Sequence, residues 1–338
     1  MTPLKIGLVG IGRIGKIHLE NLVYHIPNAE VVAIAEPLAE GQNFARNLNI
    51  PTITSDYQDL LDHSEVDTIV ICSPSDSHAE YVIRASNAGK AIFCEKPLEL
   101  SLEKVQGILD ITNSNQTPLM VAFNRRFDKH FQRIRERVMS GDIGDPYMLK
   151  ITSRDPGPPP LSYIALSGGI FLDQAIHDFD MARFIVGSEV KEVYSKGAIR
   201  ISPEIEQYDD IDIALTTLTF ENGAFGVVDN SRKTTYGYDQ RLEIFGSKGM
   251  ALIENVKPDT HKYYSETSVS EPFPLYFFLE RYMDSYREEM RAFVNAVQQQ
   301  QAVPISGEDG LRSMAVGLAA KRSLQENRPI LMSEILGS

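Results

Sequence analysis

Apolar and polar positions follow two different schedules along this chain. Through about residue 123, short runs that are apolar almost throughout alternate with stretches of helical spacing. The runs, apolar but for Lys5 and Thr68, are Leu4–Val9, 31–35, 68–72, 91–94 and 119–123. Helices are predicted after Gly15 to about Tyr24, over 39–48, over 77–88, and from a Ser101 cap to about residue 114. Strands apolar on both faces, separated by helices, specify a parallel sheet covered on both sides. This is the doubly wound α/β pattern.

Beyond residue 123 the rhythm changes. A charged amphipathic helix over 129–140 and a strand over 146–153 precede the proline-rich stretch Asp155-Pro-Gly-Pro-Pro-Pro160. Gly168-Gly169 then opens a helix to about Val186. Four strand-like runs lack intervening helices: 190–198, 211–220, 224–231 and 240–255, the last broken at Gly246. Glu221-Asn-Gly223 and Gly246-Ser-Lys-Gly249 are hairpin signals between them. A largely antiparallel open sheet in an α+β domain is expected. Tyr282, Tyr286, Met290, Phe293 and Val297 form one helical stripe, and a last helix is predicted over 308–327. The expected division is 1–123 and 124–338.

Length agrees with two domains, since 338 residues are about twice the usual ~150 per domain. A formal charge of −13 repels polyanions, so nucleic acid and anionic membrane surfaces are not expected partners. No apolar run exceeds five residues, against the ~20 of a membrane span. Cys72 and Cys94 both sit in apolar runs, as buried thiols of a reducing compartment do. A cytoplasmic location is expected.

The candidate chemistry begins at Gly10-Ile-Gly12-Arg13-Ile14-Gly15, between a strand and a helix at the start of a βαβ unit. The first glycine permits the tight turn and the second lets a pyrophosphate approach the backbone. The third allows close helix packing, with the helix N-terminus facing the phosphates. Glu36 ends the next strand, where a carboxylate accepts hydrogen bonds from adenosine ribose hydroxyls and repels a 2′-phosphate. NAD is therefore expected over NADP. Arg13 either stacks near the dinucleotide or reaches solvent. Ser73-Pro74 lies at a strand's carboxyl edge, where ligands of such sheets bind. His78 orients that loop or caps the next helix.

Glu95-Lys96-Pro97 follows another strand end, where a lysine either holds a substrate hydroxyl or is a turn residue in solvent. Asp173 and His177 are four residues apart and share a helix face. An imidazole there can accept the proton an alcohol loses. The pair also admits a helix-stabilising or a metal-binding reading. No metal is expected, because no second histidine or cysteine is close in sequence.

These residues resemble one family along nearly the whole chain. They are the glycine loop, Glu95-Lys96-Pro97, Gly168-Gly-Ile-Phe-Leu-Asp173 and His177-Asp-Phe-Asp180. The family is the glucose–fructose oxidoreductase / inositol dehydrogenase / rhizopine-catabolism group. Ser153-Arg-Asp-Pro156 and Tyr236-Gly-Tyr-Asp-Gln-Arg241 resemble its inositol 2-dehydrogenase branch. The resemblance implies an N-terminal Rossmann domain, a C-terminal open sheet and a homotetramer built through sheet faces. It implies that His177 is the general base, that Asp173 positions it or the substrate, and that Lys96 binds the reacting oxygen. Arg125, Asp155 and Tyr238 fall where family members contact the polyol. Each has an ordinary structural role open to it as well: ion pair, turn residue and core. The expected substrate is a cyclic polyol or sugar, myo-inositol first, with another inositol isomer or an aldose as alternative. A non-catalytic sugar or dinucleotide sensor is the alternative from another class.

Overall fold

The computed structural model describes residues 2–337. By contact the chain forms two compact units, Met1–Phe127 with Asp284–Arg312, and Asp128–Met283 with Ser313–Ser338.

The first unit follows the alternation read from the sequence. Its elements are β1 (Leu4–Val9), α1 (Arg13–His25), β2 (Ala29–Ala35), α2 (Ala39–Asn47), β3 (Thr52–Thr54) and α3 (Tyr57–Asp62). They continue with β4 (Thr68–Ile71), α4 (His78–Asn87), β5 (Ala91–Glu95), α5 (Leu102–Ser114) and β6 (Leu119–Ala122). All strand pairs are parallel, in the order β3-β2-β1-β4-β5-β6. The order reverses between β1 and β4, so the crevice at their carboxyl ends is the topological switch point. The centre of the sheet is dry: Ile6, Leu8, Ile69, Val70, Ile92 and Phe93 are fully buried. Each such side chain contributes about 1.5–3 kcal/mol. β3 and α3 were not expected; three and six residues are too short to display a period.

The second unit begins with α6 (Lys129–Met139) and β7 (Pro146–Arg154). Three short helices follow, α7 (Leu161–Ser167), α8 (Ile170–Asp173) and α9 (Ala175–Val186). The strands β8 (Val190–Ala198), β9 (Ile213–Phe220), β10 (Phe225–Ser231), β11 (Asp239–Gly246) and β12 (Gly249–Ile253) come next. A small hairpin pairs β13 (Tyr263–Tyr264) with β14 (Val269–Ser270). The helices α10 (Phe278–Gln298) and α11 (Gly307–Glu326) each supply residues to both units, and β15 (Ile330–Leu331) and α12 (Ser333–Leu336) end the chain.

The large sheet has the order β12-β11-β7-β10-β9-β8-β15. Every pair is antiparallel except β7 with β10. Both expected hairpins form, β9–β10 around Glu221–Gly223 and β11–β12 around Ser247-Lys248.

Two expectations differ from the structure. The division at residue 123 omits a return of the chain: 284–312 belongs with the first unit. There Met290, Phe293 and Val294 are buried, and the Val121 N–H donates to the Ile305 carbonyl at 3.2 Å beside a bridge between Met120 and Ser306. The helix expected after Gly169 is divided at Gln174, although Gln174 keeps right-handed helical backbone angles. Among the described residues no helix is long and apolar enough to cross a membrane.

Candidate active site

In the first unit the expected cofactor residues converge on the carboxyl edge of the parallel sheet. Gly10 follows β1 with φ +88°, a left-handed conformation that suits glycine. A Cβ there would meet the Ser73 nitrogen at 2.6 Å, and one on Gly15 would meet the Gly10 carbonyl oxygen at 2.0 Å. A Cβ on Gly12, in contrast, would meet nothing within 4 Å. Two of the glycines thus let the chain pack on itself, while the third leaves open space at the start of α1. That open approach, beside the unpaired N–H groups of a helix start, fits a dinucleotide phosphate.

Glu36 is buried just beyond β2. Its Oε2 accepts from the Ile11 N–H at 2.5 Å and its Oε1 from the Leu38 N–H at 2.7 Å. The carboxylate is therefore fixed against the glycine loop before any ligand arrives. Gly41 is part of this arrangement, because a Cβ there would lie 2.6 Å from Glu36 Cγ. Arg13 is exposed and Ile14 half-buried.

Ser73 and Pro74 form the loop after β4, where the hydroxyls of Ser73 and Ser77 are 2.6 Å apart. His78 is buried at the start of α4 and holds two backbone segments together. Its Nδ1 lies 2.8 Å from the Pro97 carbonyl and its Nε2 2.9 Å from the Ser73 carbonyl. His78 thus ties the loop after β4 to the turn that carries Lys96. That turn has a cis Lys96–Pro97 bond, and Lys96 is half-buried. Arg125 is buried in the short helical turn after β6.

In the second unit Asp173 closes α8 and His177 lies in the first turn of α9. The Tyr163 hydroxyl donates to Asp173 Oδ1 at 2.9 Å, and Arg232 Nη1 donates to Oδ2 at 3.3 Å. Arg232 is fully buried, and its Nη2 donates to Asp210 Oδ2 at 3.0 Å. Asp210 in turn accepts from the Ile170 N–H at 2.8 Å. Gly169 leaves room for this, since a Cβ would come within 2.7 Å of Asp210 Oδ1. Gln174 donates to the carbonyls of Ser153 and Ser231, tying the helix break to the ends of β7 and β10. Asp180, at the end of the His177-Asp-Phe-Asp180 motif, accepts from the Ser313 hydroxyl at 3.1 Å.

Asp155 follows β7, and its N–H donates to the Ser231 carbonyl at 2.9 Å. Tyr238 is buried, edge-on to Tyr282 with ring centroids 6.0 Å apart. Sequence reasoning missed Tyr163, Arg232, Asp210 and Gly41. No spacing rule links Arg232 to a carboxylate 59 residues away. It also missed His18 and Glu289 of the first unit, which with the expected cofactor residue Glu95 form the one group of three among the described residues arranged as metal ligands can be. Burial, with Glu95 nearby, pushes the thiols of Cys72 and Cys94 well above the ordinary range, so both are poor nucleophiles.

Comparison with known proteins gives the same picture. Residues 4–123 match the oxidoreductase family with an NAD-binding Rossmann fold, and residues 131–252 match the GFO/IDH/MocA C-terminal domain. The chain is 44% identical over 335 residues to a myo-inositol 2-dehydrogenase of Thermotoga maritima, covering 99% of this chain and 100% of that one. It is 41% identical over 331 residues to an inositol 2-dehydrogenase of Rhizobium meliloti, covering 97% and 98%. The structure of a scyllo-inositol dehydrogenase of Lactobacillus casei, crystallised with NAD(H) and scyllo-inositol, superposes with a TM-score of 0.91 at 29% identity, covering 98% and 100%. With a glycine loop open at Gly12, a fixed Glu36 and an anchored Asp173 preceding His177, this chain belongs to the GFO/IDH/MocA family of NAD-dependent oxidoreductases.

Proposed function

We propose that the protein oxidises a secondary ring hydroxyl of an inositol, with myo-inositol giving the 2-keto product. The observation that carries this is the carboxylate of Asp173, held by Tyr163 and Arg232 one helical turn before His177. Inositol-oxidising relatives that match nearly the whole chain support the substrate class. Bound NAD supplies the hydride acceptor. His177 takes the hydroxyl proton as general base, Asp173 positions the reacting groups, and the Lys96 ammonium stabilises oxygen as negative charge develops. Arg125, Asp155 and Tyr238 are assigned to the polyol. The scyllo isomer is the second reading, favoured by the Lactobacillus casei neighbour.

A homo-oligomer accompanies this reading. The outer face of the large sheet exposes Ile213, Leu215, Phe225, Phe245, Met250 and Leu252, large apolar side chains gathered on one face as at an interaction surface. The ion pairs Lys150–Glu243 and Arg154–Asp229 lie on the same face. We assign that face to a second copy of the chain, within a tetramer, and the protein to the cytoplasm, where the thiols Cys72 and Cys94 stay reduced.

The test is a panel of inositols and aldoses with NAD or NADP, followed by absorbance of the reduced nicotinamide. Turnover of myo-inositol with NAD is expected, and loss of about 100-fold or more in kcat for Lys96→Ala and His177→Ala. No turnover across the panel overturns the reading. Preference for NADP removes the role of Glu36.

A further inference from the structure

Directly behind the Glu95–Lys96–Pro97 turn lies a group of ionisable side chains that the proposed chemistry does not use. His18 comes from α1, Glu95 from the end of β5 and Glu289 from α10. His18 Nε2 is 2.8 Å from Glu95 Oε1 and 3.9 Å from Glu289 Oε1. His18 and Glu289 are fully buried, and Glu95 is half-buried. The His18 ring packs edge-on against Phe93 and Tyr286, with centroids 5.1 and 5.8 Å away.

Neither oxygen of Glu289 has a hydrogen-bond partner, and His18 Nδ1 has none. A charged Glu289 beside Glu95 is not tolerable at that depth, because a fully buried carboxylate without a hydrogen-bond partner is strongly disfavoured. The contact between His18 and Glu95 has hydrogen-bond length. Two atoms bound to one zinc-like ion at ~2.0–2.2 Å in a tetrahedron would stand about 3.3–3.6 Å apart. The geometry therefore favours protons over a metal.

We propose that Glu289 and His18 are positioning residues for the turn that carries Lys96: Glu289 is a neutral carboxylic acid, and the trio's single negative charge rests on Glu95, held by the His18 Nε2–H. The surroundings agree. Burial, with Glu95 nearby, drives the Glu289 carboxyl well above its ordinary range. Ionisable groups beside the trio include Cys72, Cys94 and Tyr286. The thiols are themselves pushed towards their neutral forms, and Lys96 is the next residue along the chain from Glu95. The cofactor arm of the test rests on the proposed function; the other arms do not.

A carboxyl whose affinity for its proton is raised by folding stabilises the fold fully below its unfolded pKa, near 4.5. That contribution is lost as pH rises towards the folded value. Glu289→Gln, a neutral isostere, has no proton to lose. The melting temperature of Glu289→Gln minus that of the wild type should therefore increase by about 3 °C or more between pH 5 and pH 9. A difference that stays constant or shrinks with pH overturns the proposal. Should that variant fail to fold, carbon-13 NMR of wild-type protein labelled at glutamate Cδ decides. One carboxyl resonance should remain at the protonated position at pH 8, and its absence overturns the proposal.

A tightly held divalent ion found by elemental analysis of the full-length protein also overturns it. In the cofactor arm, His18→Phe keeps the ring packing and removes the hydrogen bond to Glu95. It should weaken NADH binding, read from cofactor fluorescence, by about fivefold or more. Unchanged affinity removes the positioning role. Wild-type protein that binds no NADH contradicts the proposed function and leaves the melting and NMR outcomes to decide the proton.

Discussion

Arg232 shows how one buried cation decides the behaviour of a site. Its guanidinium faces Asp173 on one side and Asp210 on the other. Removing it leaves two carboxylates without their shared partner. Arg232→Leu is expected to cost about 3–5 kcal/mol, measured by urea unfolding. Arg232→Lys keeps the charge but not the fork that reaches two acids at once. Its melting temperature should fall less than that of the leucine variant, while kcat drops and NAD affinity is retained. Both acids were visible in the sequence, and Asp173 was singled out there. Arg232 was not, because a side chain matters here through what it reaches across the fold, and spacing is silent about that. Glu36 was legible for the opposite reason: its place at the end of the second long strand follows from the βαβ period alone.

At the scale of elements, the glycine loop separates packing from binding. Gly15→Ala brings a Cβ against the Gly10 carbonyl oxygen, and the strand-to-helix turn must move to accept it. Gly12→Ala meets only open space. The first variant should melt lower than the wild type. The second should fold with a melting temperature within about 2 °C, consistent with a surface substitution, and lose NADH affinity at least tenfold in fluorescence titration. Comparable losses of stability in both would contradict the division. The same contrast explains what was readable in the fold. Long apolar strands and the paired hairpins around Gly223 and Gly246 announce themselves by period and turn residues. The short β3 and α3 and the break at Gln174 do not. At that break the Gln174 side chain serves the ends of β7 and β10, a tertiary role with no local signature.

For the whole molecule, the outer face of the large sheet sets the state of assembly. Leu215→Glu and Phe225→Glu place charges on exposed positions of β9 and β10 without disturbing the buried face. Light scattering coupled to size exclusion should show smaller species than the wild type, with helix and strand content unchanged by circular dichroism. A wild type that elutes as a monomer contradicts the assignment of that face.

The return of residues 284–312 to the first unit also reaches into the protein's birth on the ribosome. When residue 127 is made, the parallel sheet still lacks Met290, Phe293 and Val294 against its core and the Ile305–Ser306 contact along β6. At ordinary rates of synthesis the missing segment arrives roughly 10–40 s later. Over that interval the nascent chain carries an incomplete nucleotide-binding half with an open sheet edge, a substrate for chaperones and a template for aggregation. A fragment ending at residue 127 should accordingly be insoluble or molten when expressed alone. Co-expression with a chaperone should raise the yield of the full chain.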